Sequence, residues 1–176
     1  MSTKRPVPVD EEIYFGNDEI IVSKTDLKGR LLYANNVFCR LAEMTPSQVI
    51  GQPHSVIRHP DMPRAVFKLL WDMIHGGKEI FAYVKNMSAS GKYYWVIAHV
   101  TPSFDSNQQI IGFHSNRRKP SEKGIREINI IYKKLSAIES SHANAKKGLE
   151  ASYGHLMDML KQQGIDYERF IWSTGE

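Results

Sequence analysis

The chain has 176 residues, enough for one domain with an appendage, and its 41% hydrophobic and 24% charged content suits a packed globular core. A net charge of +4 is spread along the chain, and the only short basic run, Arg117-Arg118-Lys119, reads as a solvated strand end, so no nucleic-acid partner is expected. The lone Cys39 excludes an internal disulfide, and neither the N-terminus nor any later run is apolar enough for a signal peptide or a bilayer span; the expectation is a soluble, cytoplasmic protein.

Residues 1–18 are polar, carry Pro6 and Pro8, and read as a flexible or extended arm. Ile20-Ile21-Val22 predicts a strand, Asp26, Lys28 and Gly29 a turn, and Leu31-Leu32-Tyr33 a second strand. Asn35 and Asn36 end it and can cap a helix carrying Val37, Phe38, Leu41 and Ala42 on one face. Thr45-Pro46-Ser47 starts a short helix that stops at Gly51. His54 to Asp61 is irregular. After Pro63, Val66, Leu69, Leu70, Met73 and Ile74 recur at the spacing of one buried helical stripe, ended by Gly76-Gly77.

Two long strands follow, Ile80 to Asn86 and Tyr93 to Val100, joined through Ser88-Ala89-Ser90-Gly91. Ile110 to Ser115 predicts a final strand after the turn at Asp105-Ser106-Asn107. Alternating βαβ units are absent, so the fold class is α+β: a single antiparallel five-stranded sheet with short helices on one face and a pocket between them. A sensor region over 19–119 and a helical output or interaction tail over 120–176 complete the organisation.

The tail places Ile128, Tyr132 and Leu135, then Ala145, Leu149, Tyr153, Leu156 and Leu160, at three-and-four spacing broken by Gly148 and Gly154. Such imperfect heptads favour a small helical bundle over a long coiled coil. Gly164 ends the second helix, and Tyr167, Phe170, Ile171 and Trp172 form an apolar cluster that either folds back on the domain or meets a partner.

Three segments carry a family resemblance: Tyr33-Ala34-Asn35-Asn36-Val37-Phe38; Gly51-Gln52-Pro53-His54 leading to Arg58-His59-Pro60-Asp61-Met62-Pro63; and Val84-Lys85-Asn86 followed by Gly91 and Tyr94-Trp95-Val96. Together, over about residues 15–120, they resemble the flavin-binding PAS sensor of the Aer-type aerotaxis receptors. The resemblance implies a noncovalent FAD whose redox state is reported to a chemotaxis-type signalling partner. The length and tail are more like a separate PAS subunit of a bipartite energy-taxis receptor, acting through a membrane-bound chemoreceptor-type protein, with a homodimer through the tail as a further arrangement. A cofactor-free PAS adaptor, or a PAS receptor for another small ligand, is the alternative.

Seven residues are candidates for the cofactor. By period two, Asn86 shares a strand face with Ile80, Ala82 and Val84, and its amide suits the donor and acceptor edge of a flavin; an Asn bonded to its own turn is the plainer reading. Arg58 on residues alone is an ion-pair partner of Asp61; the resemblance instead ties Arg58, His59 and Asp61 to flavin retention. Asn35 matches a family position but is also a helix cap. Trp71 on the long helix and Trp95 on the hairpin match family aromatics; regular alternation allows only one of Tyr94 and Trp95 to point inward. The family commonly carries Trp where this chain has Ile80, and Phe81 replaces it only if the strand is bulged.

Other chemistries lack their signatures. A flavin–thiol photosensor needs Cys before the long helix, and Cys39 lies on the first. The seven histidines are dispersed rather than clustered for zinc, and no P-loop, GxSxG or HExxH occurs, so no catalytic residue or metal ligand is expected.

Overall fold

The computed structural model describes residues 5–175. Five strands form one antiparallel sheet: β1 (Ile21–Thr25), β2 (Leu31–Ala34), β3 (Ile80–Met87), β4 (Tyr93–Phe104) and β5 (Ile110–Arg118), in the order β2-β1-β5-β4-β3. The first and last strands in sequence are thus neighbours at the centre. The chain leaves the sheet after β2 through α1 (Asn36–Ala42), α2 (Pro46–Val49), a 3₁₀ turn (His54–Ile57) and α3 (Arg64–His75), and returns at the opposite edge. This is the expected α+β architecture.

Local chemistry sets these elements. Asn35 caps α1 by accepting from Phe38 N–H, and Thr45 with Gln48 forms a capping box at α2, with Pro46 at the first helical position. Along α3, Ala65, Val66, Leu69, Leu70 and Ile74 are buried against the sheet. β3 runs in unbroken register with β4 from Ile80↔Val100 to Met87↔Tyr93. Phe81 therefore faces away from α3, stacks on His99 and meets Trp172 at a tilt; without a bulge it does not take the place of the family tryptophan.

The arm is extended and tied down. Val9 N–H donates to Gly91 O at 2.9 Å, Ile13 N–H to Tyr93 O at 2.7 Å, and Tyr93 N–H to Glu11 O at 2.9 Å. Gly91 is required there: its φ is +89°, and a Cβ would lie 2.1 Å from Val7 O. Residues 1–4, the start of the expected arm, lie outside the described residues.

After β5, Ser121 caps α4 (Glu122–Ser140), Asn144 caps α5 (Ala145–Gln163), and Gly164, at φ +66°, closes α5 as the sequence predicts. The apolar cluster at 167–172 forms a further helix, α6 (Tyr167–Ser173), with Tyr167, Phe170 and Ile171 buried. α4 and α5 pack on each other, α5 also lies on α3, and α6 lies against β3. Tyr132 Oη on α4 donates to Tyr83 O, and Tyr83 Oη donates to Thr174 O just beyond α6. The back of β3 thus holds both ends of the helical segment. Among the described residues, no helix is long and apolar enough to cross a membrane.

Candidate functional site

A cavity of about 260 Å³ lies between α3, the 3₁₀ turn and the inner face of the sheet. Period two places most of the strand residues that line it, Ser23 and Thr25 from β1, Val84 and Asn86 from β3, Ala98 and Val100 from β4, and Phe113, Ser115 and Arg117 from β5, with His114 of β5 also at its edge. Phe67, Leu70, Trp71 and Ile74 come from the α3 stripe, and Pro53, His54 and Arg58 from the segment before it. No carboxylate is among the lining side chains.

One pole is buried and rich in donors. Arg117 is 3% exposed, and its Nη2 donates to Ser23 Oγ at 2.8 Å and to His54 Nε2. His54 accepts through Nε2, so neutral His54 carries its proton on Nδ1. Burial, then the charges of Arg117 and Arg58, hold its pKa well below the usual imidazole value. Burial also lowers the Arg117 guanidinium to about 10.

Among the described residues, five polar atoms of lining residues have no partner: Arg117 Nη1, Ser115 Oγ, His114 Nε2, Asn86 Nδ2 and Arg58 Nε. Asn86 is 3% exposed. Buried donors are ordinarily satisfied, so this convergence is what a site built around a polar-edged ligand would show when described without it.

The opposite walls are apolar. Trp71 stacks on His75 at 5.2 Å between ring centroids, and its edge meets Phe113 at 5.7 Å. Arg58 lies with its guanidinium carbon 3.5 Å above the centre of the Phe67 ring. It forms no ion pair with Asp61; burial and the nearby charge of Arg5 lower it to about 10.

Of the seven residues singled out in the sequence, Arg58, Trp71 and Asn86 meet at this cavity, and four do not. The backbone of Arg58 bridges that of Asn86, which turns the Arg58 side chain inward, and the residues after it fasten to the edge of β3. His59 N–H donates to Lys85 O at 3.2 Å, and Lys85 N–H points to Met62 Sδ at 3.2 Å. His59 is buried, and its Nδ1 accepts from Asp61 N–H at 3.1 Å. The Asp61 side chain, 65% exposed, takes Lys85 Nζ at 2.8 Å. His59 and Asp61 therefore brace β3 beside Asn86.

Asn35 is consumed by structure: Oδ1 accepts from Phe38 N–H and Val22 N–H, and Nδ2 donates to Ile20 O. Trp95 stands on the other face of the sheet, 6.3 Å from the Tyr132 ring, because its neighbours Tyr94 and Val96 point inward.

Ser23, His54, Ser115 and Arg117 were not singled out by the sequence, and Arg117 corrects an expectation. It is a buried wall residue, not part of a solvated strand end. β5 runs on to Arg118, so alternation from Phe113 through Ser115 brings Arg117 to the inner face. The signal was that period-two pattern, obscured by ending the strand at Ser115.

Residues 31–117 match the family described as PAS fold. The aerotaxis receptor of Escherichia coli (strain K12) is 31% identical over 154 residues, which is 88% of this chain and 30% of the receptor. Two solved structures share the fold. A PAS domain from Colwellia psychrerythraea has a TM-score of 0.54 at 18% identity, covering 58% of this chain and 87% of that one. The dark structure of the blue-light photoreceptor Aureochrome1 LOV has a TM-score of 0.54 at 23% identity, covering 68% of this chain and 86% of that one. The fold, the matched segment and the receptor likeness agree: the chain belongs to the PAS family, and its PAS domain is of the Aer type.

Proposed function

We propose that this chain is a cytoplasmic redox sensor that holds FAD noncovalently between α3 and the sheet and signals through α4–α6 to a membrane-bound chemoreceptor-type partner. The observation that carries the reading is the set of unpartnered buried donors on Arg117, Ser115 and Asn86 facing an apolar slot of Leu70, Trp71, Ile74 and Phe113. A flavin ring has that pattern, an apolar body with one hydrogen-bonding edge. The Aer-type likeness supports the choice of flavin.

A bound flavin would supply an electron-accepting ring whose polar edge differs between redox states. Asn86 would hold that edge, since its amide can donate or accept by turning. Arg117, held by Ser23 and His54, supplies the fixed positive charge, and Trp71 and Phe113 would help exclude water from the ring. β3 offers the route outward. Val84 and Asn86 face the cavity, while Phe81 and Tyr83 hold α6 and α4 on the other side. A change of hydrogen bonding at Asn86 alters the helices only through a contact that differs between the two states.

The test is an absorption spectrum of freshly purified protein, followed by heat release and identification of the nucleotide. Blue and near-ultraviolet flavin bands with FAD in the supernatant support the sensor. A colourless protein that takes up no added FAD overturns it and leaves the adaptor reading.

A further inference from the structure

The cavity of about 260 Å³ falls just below the roughly 300–1,000 Å³ of pockets that enclose drug-sized ligands. A ring fits inside it; a dinucleotide does not. On the FAD reading, on which this inference rests, the diphosphate and adenosine would extend out of the cavity. The arm runs past Arg58. Arg5 donates through Nη2 to the Arg58 backbone carbonyl, bringing a second guanidinium beside a residue that lines the cavity. Among the described residues, neither arginine forms an ion pair with a carboxylate, and the Arg5 charge lies near enough to lower the pKa of Arg58. The acidic group of the motif, Asp61, is taken by Lys85.

The Arg5 position is held by the arm. Val9 N–H is bonded to Gly91 O and Ile13 N–H to Tyr93 O, so the chain reaches Arg58 along the β3–β4 hairpin. Two guanidiniums without carboxylate partners, one lining a ring-sized cavity and one beside it, match a diphosphate, which offers several charged oxygens to planar, forked donors. We propose that Arg5, with Arg58, clasps the diphosphate of a dinucleotide cofactor, so that the N-terminal arm selects FAD over flavins lacking the second phosphate.

The experiment titrates the cofactor-depleted full chain with FAD, FMN and riboflavin, following flavin fluorescence. Arg5→Ala is expected to weaken FAD by about three- to ten-fold and Arg5→Glu by more than about ten-fold, with riboflavin changed by less than about two-fold and Arg5→Lys recovering part of the loss. The Arg5→Ala effect should shrink in 1 M salt, where the Debye length is about 3 Å. Equal losses for FAD and riboflavin, or no loss in Arg5→Glu, overturn the clasp and leave the flavin site standing. No uptake of any flavin by the unmodified chain overturns both.

Discussion

The hydroxyl of Tyr132 donates to the backbone carbonyl of Tyr83 at 2.7 Å, joining α4 to the strand that carries Asn86 into the cavity. The bond uses a carbonyl on an edge strand, where it would otherwise lack a ladder partner. Tyr132→Phe keeps the ring against Trp95 and removes only this bond. A loss of about 1–2 kcal/mol in urea unfolding is expected, with faster amide exchange in α4. Unchanged stability would mean that ring packing alone holds α4.

Gly124 in α4 sits where a Cβ would lie 2.4 Å from Tyr83 Oη. Gly→Ala within a helix ordinarily gains about 1 kcal/mol. Here the methyl must displace the hydroxyl that donates to Thr174 O. The expected result for Gly124→Ala is a net loss of about 1–2 kcal/mol, with Trp172 fluorescence shifted to the red as α6 loosens. A net gain would show that α6 is not held through Tyr83.

Arg117 is a buried cation without a carboxylate, a costly arrangement in the ligand-free chain. Arg117→Met is expected to raise ligand-free stability by about 1–2 kcal/mol and to cut flavin uptake at least about ten-fold. Thermal unfolding and fluorescence titration on the same sample check both directions. A variant that loses stability and keeps its flavin would identify Arg117 as scaffold.

His54 ties pH to stability. Its folded pKa lies well below the unfolded value of 6.5, because burial and two guanidiniums oppose its charge. Below pH 6.5 the unfolded chain binds a proton that the folded chain refuses. The stability this group contributes is therefore present above 6.5 and lost as pH falls. His59 and His114 are also lowered, each chiefly by burial, and add to the slope. His54→Gln still accepts from Arg117 but does not titrate. Between pH 6.5 and 5 it should flatten the profile by up to about 1.4 kcal/mol per pH unit. Urea midpoints across that range measure it, and an unchanged slope would place the titration elsewhere.

The sequence by itself determined the elements and the class. Local signals sufficed: Asn35 and Thr45 as caps, Gly164 as a stop, the Val66–Ile74 stripe, and the alternation from Ile80 to Asn86. The Aer-type resemblance, rather than those local signals, marked Arg58, Trp71 and Asn86 as candidates for one site. What only the tertiary structure decided is which side of the sheet each residue serves, and with whom. Trp95 and Arg117 lie on strands whose alternation was legible, but a face becomes inner or outer only when other elements cover it. α3 covers one face, while α4 and α6 cover part of the other. Arg117 became a wall residue because β5 extends beyond Ser115 and pairs with both β1 and β4. Beyond their local bonds, Asn35 is held by Val22 and Ile20, and His59 and Asp61 by Lys85. Such partnerships rest on contacts between segments 13 to 94 residues apart, and no local pattern encodes them.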